Sequence, residues 1–374
     1  MILPGLISPS CVYACTRFRI RRTKLLARED YHRIMQMSIP GIVAHLGRQE
    51  DYKEIMDLAA DFSGARLIEE TVNRNLVNSF QRAMAIIPEE LHALAEEYLT
   101  RWDIVNVMAI LRSIVFDIPG RRIHSLLVPA GRLNRSLLEH LLSLKTCDEA
   151  LEALKYWRLY PVLEKYYQIC GERGAFARIE NELYMNYYAA LLGLVASGCP
   201  GCRELFAYLR FEIDITNMKN LLRLHCGEVA CDIVTIDQTM IPGGRIPIDL
   251  FRQLYGSMTE EEFRHTFLQT EIAPLLARAV RELGQEPGFS REDAAELVWQ
   301  RWHQHLRPTH EIEMAITRIR LRELETLSRR YPFSVLPMLA YLERKRYETA
   351  NLRAIARGKS FGLPPGRIWQ YIVL

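Results

Sequence analysis

The chain carries one pattern three times, and a repeated unit restricts the possible folds more than any single motif does. A tyrosine-leucine pair opens three comparable segments: Tyr98-Leu99 in YLTRWDIVNVMAILR, Tyr208-Leu209 in YLRFEIDITNMKNLLR and Tyr341-Leu342 in YLERKRYETANLRAIAR. Their common core is an acid, two residues, an asparagine, five residues and an arginine. These positions are Asp103, Asn106 and Arg112 in the first copy, Asp214, Asn217 and Arg223 in the second, and Glu348, Asn351 and Arg357 in the third. The register continues in both directions. Upstream, Ile68-Glu69, Ile179-Glu180 and Ile312-Glu313 start helical patterns, with 37, 37 and 38 residues from each glutamate to its asparagine. Downstream, the first two copies end in LLVPAG (Leu126 to Gly131) and TMIPGG (Thr239 to Gly244), while the third stops at YIVL, where its own Pro-Gly turn would begin. The expected organisation is therefore three repeat units, 1–131, 132–244 and 245–374, each ending in a turn that launches the next. The third is enlarged by an insertion at about 284–309, read as helical and flanked by Gly and Pro breakers.

Each unit reads as helical, so the predicted fold class is all-α. Ile68, Val72, Leu76, Phe80 and Met84 recur at helical spacing, as do Ile179, Leu183, Tyr187 and Leu191, and Ile312, Ile316, Ile319 and Leu324. Tyr208, Phe211, Ile215, Met218 and Leu222 make a second kind of stripe in the tyrosine-leucine segments. The Ile-Glu glutamates follow Gly64-Ala65, Gly174-Ala175 and Pro308-Thr309, and are read as first-turn acids that complement the positive end of the helix dipole. On such a helix the motif acid and asparagine share one stripe, while the arginine points about 120° away from the asparagine. A polar site recurring three times is one reading. The preferred one is structural: the polar side chains bond neighbouring helices or loop backbone, because buried polar groups need partners.

The balance of 48 basic against 45 acidic residues gives a formal net charge of +3, too even for a nucleic-acid footprint. The one basic cluster, Arg17 to Lys24, is read as a solvated helix face. The longest apolar run, Ala189 to Ala196, falls far short of the roughly 18 to 20 residues that span a bilayer. No basic n-region precedes the apolar amino-terminal residues, so a secretory signal is a poor reading and a cytoplasmic location is expected. The eight cysteines are few for this length and are expected as free thiols.

Metal chemistry offers the sharpest alternative. Cys199 and Cys202 form a CxxC knuckle, and Cys226 with Cys231 could complete a tetrahedral zinc set. The second half is looser, a helix intervenes, and neither other copy has matching cysteines, so no metal is expected. His303, His305 and His310 lack acids at ligand spacing. GxxxxGK[ST], GxSxG and GxGxxG are all missing, and no nucleophile, base and oxyanion set survives inspection, so neither catalytic residues nor a cofactor are expected.

YLTRWDIVN, EIDITNMKNLLR, MIPGG and the terminal YETANLRAIARGKSFGLPPGRIWQYIVL closely resemble the C subunit of archaeal-type ATP synthases, known as the d subunit in the vacuolar proton pump. The resemblance spans about Tyr13 to Leu374. It implies an all-helical funnel with pseudo-threefold symmetry and a non-catalytic role in a rotary ATPase, coupling the rotor shaft to the membrane ring. The implied partners are central-stalk subunits of the D and F type and the proteolipid ring, with one copy per complex, peripheral to the membrane. Glu348 in place of aspartate is a pattern that the family's last motif usually shares. The arginine-rich amino terminus, the extended region 287–309 and the cysteines depart from the family. Arg101, Arg210 and Lys219, charged neighbours of the repeated motif, are candidate stalk or ring contacts. The competing reading is a free-standing helical adaptor that binds a partner helix, and a weaker one is a zinc enzyme.

Overall fold

In a computed structural model the chain is described over residues 9–124, 126–166, 175–198, 202–225, 233–282, 288–303 and 309–374. The described residues form α-helices and contain no strand. In chain order the helices are α1 (Pro9–Thr23), α2 (Arg28–Gln36), α3 (Ile39–Gly47), α4 (Glu54–Leu58), α5 (Gly64–Met84), α6 (Glu89–Val115), α7 (Gly120–His124), α8 (Arg135–Ser143), α9 (Cys147–Ala153) and α10 (Tyr160–Tyr166). They continue as α11 (Ala175–Ala196), α12 (Cys202–His225), α13 (Ile233–Thr239), α14 (Ile248–Gly256), α15 (Glu260–Leu268), α16 (Ile272–Glu282), α17 (Arg291–His303), α18 (Thr309–Arg330), α19 (Leu336–Ser360) and α20 (Pro365–Trp369).

These helices divide into two compact units. One holds α1 to α9, the start of α10, the end of α18, α19 and α20; the other holds α11, α12 beyond Cys202, α13 to α17 and most of α18. In the first unit, Ile68 and Val72 on α5 meet Leu352 and Ile355 on α19 and Tyr31 and Ile34 on α2 in one buried cluster. In the second, Phe211, Ile215 and Met218 on α12 join Phe251, Phe263, Phe267 and Ile316. Each such side chain contributes roughly 1.5–3 kcal/mol when fully buried. The helical stripes read from the sequence are these inward faces: Ile68, Val72, Leu76 and Phe80, like Tyr208, Phe211, Ile215, Met218 and Leu222, are all buried. Residues on every side of α6 and α19 are buried, including polar ones, as a helix enclosed by neighbours requires.

Three junctions repeat. After Leu133 the chain is capped by Asn134, runs nine residues as α8, and restarts at the Thr146 cap. After Ile246 it passes Pro247, runs nine residues as α14, and restarts at the Thr259 cap. After Leu26 it passes Ala27, runs nine residues as α2, and restarts at the Ser38 cap. Buried apolar residues stand five and eight positions on in each case: Leu138 and Leu141, Phe251 and Leu254, Tyr31 and Ile34. The amino-terminal segment thus carries the same helix pair that follows the first two copies of the motif.

Two expectations change. The Ile-Glu glutamates are not first-turn acids: α5 and α11 begin at Gly64 and Ala175, several residues before Glu69 and Glu180, and have no acidic residue in their first turns. Cys11, Cys15 and Cys147 are free thiols, but Cys202 is in a disulfide, so thiols throughout is not the arrangement found. Cys199, Cys226 and Cys231 lie outside the described residues, as does His305. The insertion reading falls partly on described residues: α17 buries Ala294, Ala295 and Val298 in the core of the second unit, after Phe289 has entered it.

Candidate functional site

The repeated acid and asparagine do the same work in the first two copies. Asn106 donates from Nδ2 to the Val128 carbonyl at 2.7 Å and accepts from the Val128 N–H at Oδ1 at 2.9 Å. Asn217 does both to Ile241, at 2.8 and 2.7 Å. A carboxamide carries a donor and an acceptor in one plane, so it can satisfy both main-chain groups of one loop residue. The acid one turn earlier is acceptor-only, and it receives two N–H groups from the loop that follows. Asp103 accepts from Arg132 and Leu133 at 2.9 and 3.1 Å, and Asp214 from Arg245 and Ile246 at 3.0 and 3.1 Å.

The glycine that closes each turn has its reason here. A Cβ on Gly131 would sit 2.2 Å from Asp103 Oδ1, and one on Gly244 would sit 2.1 Å from Asp214 Oδ1. No side chain fits between the loop and the carboxylate, which accounts for the final glycine of both LLVPAG and TMIPGG. Burial raises both carboxyls, Asp103 to about 6 and Asp214 to about 6, against the pull of the backbone N–H bonds.

The third copy uses the same asparagine and a different donor set. Asn351 pairs with the main chain of Val373 at 2.8 and 2.9 Å. Glu348 accepts from the Leu26 N–H at 2.7 Å, from the Tyr52 hydroxyl at 2.6 Å and from Lys345 at 2.6 Å. Burial, with the Glu348 charge second, holds the Tyr52 phenol well above its usual range, so it stays a donor.

The motif arginines serve a separate contact. Arg223 bonds both oxygens of Glu313 at 3.0 and 3.2 Å, and Arg357 both oxygens of Glu69 at 2.9 and 2.7 Å. Glu313 and Glu69 therefore act as bidentate arginine partners, a geometry that favours guanidinium over ammonium. Arg112 also has bonded or electrostatic partners.

The three cations chosen from the sequence as contacts all bond within the chain. Arg101 is buried, 3.2 Å from Glu343 and over the Tyr98 ring at 3.9 Å. Arg210 donates to the carbonyls of Gly243 and Gly244, holding the second closing turn. Lys219 donates to the Thr317 hydroxyl at 2.7 Å. Among the described residues no group of three or more His, Cys, Asp or Glu is arranged to hold a metal ion, and no helix is long and apolar enough to cross a membrane. The signal missed in the sequence is the apolar pair after Leu26, which aligns Leu26 with Leu133 and Ile246, the residues whose N–H groups the first two motif acids hold.

What the motif does, then, is fasten a loop to a long buried helix at three homologous places, and that geometry is one against which relatives can be compared. The family described as "ATP synthase (C/AC39) subunit" matches residues 14–371. The C subunit of the A-type ATP synthase of Methanosarcina barkeri is 31% identical over 363 residues, covering 97% of this chain and 92% of that protein. Its counterpart in Archaeoglobus fulgidus is 28% identical, covering 97% and 96%, and that of Haloferax volcanii 27%, covering 97% of each. With the match running through all three copies of the motif, the chain belongs to the ATP synthase (C/AC39) subunit family.

Proposed function

We propose that this chain is the central-stalk coupling subunit of an A-type rotary ATPase, non-catalytic, linking the rotor shaft to the proteolipid ring. Its partners on this reading are stalk subunits of the D and F type on one side and the ring on the other, at the cytoplasmic face, in one copy per complex. The observation that carries the reading is the family match over nearly the whole chain. The clamp supports it from a second direction, since its acids and amides are engaged with main chain and hold loops in place. The three repeat units, 1–131, 132–244 and 245–374, form the body of the coupler.

An open groove of about 850 Å³ in the first unit has Glu70, Arg74 and Gln81 on one wall and Asn134, Arg135 and Glu139 on the other. Its mixed charge suits the polar face of a partner helix. Arg210 is partly exposed, so Arg210→Glu is expected to weaken stalk association more at low salt than at high salt. Unchanged affinity would reject that placement. The reading as a whole is tested by purifying the tagged chain in mild detergent from its own cells. Stalk and ring subunits should accompany it; recovery of a stable, solitary protein would favour a free adaptor and overturn the coupling role.

A further inference from the structure

The first two clamps close on a loop that continues directly into the next helix pair. Four residues lie between Val128 and Leu133, and four between Ile241 and Ile246, so the peptide held by the asparagine and the peptide held by the acid belong to one short stretch of chain. At the third clamp they do not. Asn351 holds Val373, whereas the N–H on Glu348 comes from Leu26, 322 residues from it in sequence. The pairing across this break copies the continuous junction in detail. His124 on α7 lies 3.8 Å from Glu139 on α8. Trp369, the corresponding residue of α20, stacks on His32, the corresponding residue of α2, with ring centroids 4.0 Å apart. Lys359 adds a bond to the Met35 carbonyl at 2.7 Å. Upstream, α1 is held on α19 by Phe18 against Tyr341, and Cys15 donates to the Ser334 carbonyl at 3.2 Å.

We propose that Glu348 is a latch: it recruits the amino-terminal segment as the continuation of the third repeat, and the seam it holds opens locally while the two junctions that the chain itself crosses stay closed. The extra methylene of Glu348 fits this role. The carboxylate reaches past the position of Asp103 and Asp214 to collect Tyr52 as well as Leu26, and Lys345 balances its buried charge. Because no peptide bond spans the seam, separation there costs side-chain and main-chain contacts only, which makes it the compliant point of the first unit.

Amide hydrogen exchange on the full-length protein tests this under native conditions. In the wild type, Leu26 and Val373 should show protection about tenfold or more below that of Val128, Leu133, Ile241 and Ile246. Glu348→Gln should lower protection at Leu26 and Tyr31 by a further factor of about ten, with Val128 and Ile241 unchanged. Glu348→Asp keeps the charge but loses the reach, and should loosen the same amides. Equal protection at all three junctions of the wild type overturns the latch, as does a Glu348→Asp variant with wild-type protection at Leu26. A uniform loss across all six junction amides in Glu348→Gln also overturns it, since a general collapse is not a local opening. Should Glu348→Gln fail to fold, the wild-type comparison alone decides.

Discussion

Replacing Asn106 by alanine leaves the N–H of Val128 buried with no partner, while its carbonyl keeps the Ala130 N–H at 2.8 Å; replacing Asn217 removes the partner from both main-chain groups of Ile241, and each orphaned group costs roughly 1–3 kcal/mol. Asn217→Ala should therefore lose about 2–5 kcal/mol in urea unfolding and Asn106→Ala about 1–3 kcal/mol. A loss under about 1 kcal/mol would mean that water replaces the amide. Gly131→Ala should be at least as damaging, because its methyl group would overlap the Asp103 carboxylate; near-wild-type stability there would contradict the close approach. The raised carboxyls add a pH signature. Between about pH 4 and pH 6 the folded protein keeps protons on Asp103 and Asp214 that the unfolded chain has released. Their contribution to stability is thus fully present below about pH 4 and is lost as the pH rises through about 6. Asp103→Asn removes one of these titrations, so the wild type should gain stability relative to that variant when the pH is lowered from about 7 to about 5. A constant difference between the two would contradict the raised carboxyl.

The long helices α6 and α19 end alike. Phe116 and Phe361 are their C-caps, and Ile118 and Leu363 donate back to Ser113 and Gly358 at 2.8 Å each, the bond that closes a Schellman motif. The intervening residue must adopt a left-handed conformation, and it is Gly362 at φ 70° in α19 but Asp117 at φ 49° in α6. Asp117→Gly should therefore stabilise the first unit by up to about 1 kcal/mol, and Gly362→Ala should destabilise it by about as much; the opposite order would refute the shared cap. At this scale the sequence is informative where the signal is periodic. Ile68 to Phe80 and Tyr208 to Leu222 are buried stripes because a 3.6-residue repeat has no other stable use in water. It is uninformative where the partner is distant. Glu313 reads as a dipole acid because nothing local points to Arg223, 90 residues away. The kinship of Leu26 with Leu133 and Ile246 rests on two apolar positions and a helix start, too little to stand out against an arginine-rich neighbourhood.

For the whole molecule, membership of the ATP synthase (C/AC39) subunit family is the finding on which the proposed coupling role rests. Asn106, Asn217 and Asn351 each tie a segment of main chain to a long helix. The coupling role is tested most directly by measuring ATP hydrolysis and ion uptake together in sealed vesicles that carry the rotary complex, with this chain present, removed and added back. Removal should leave hydrolysis running while ion uptake is lost, and adding the chain back should restore uptake. Undiminished ion uptake in vesicles that lack the chain would contradict the coupling role.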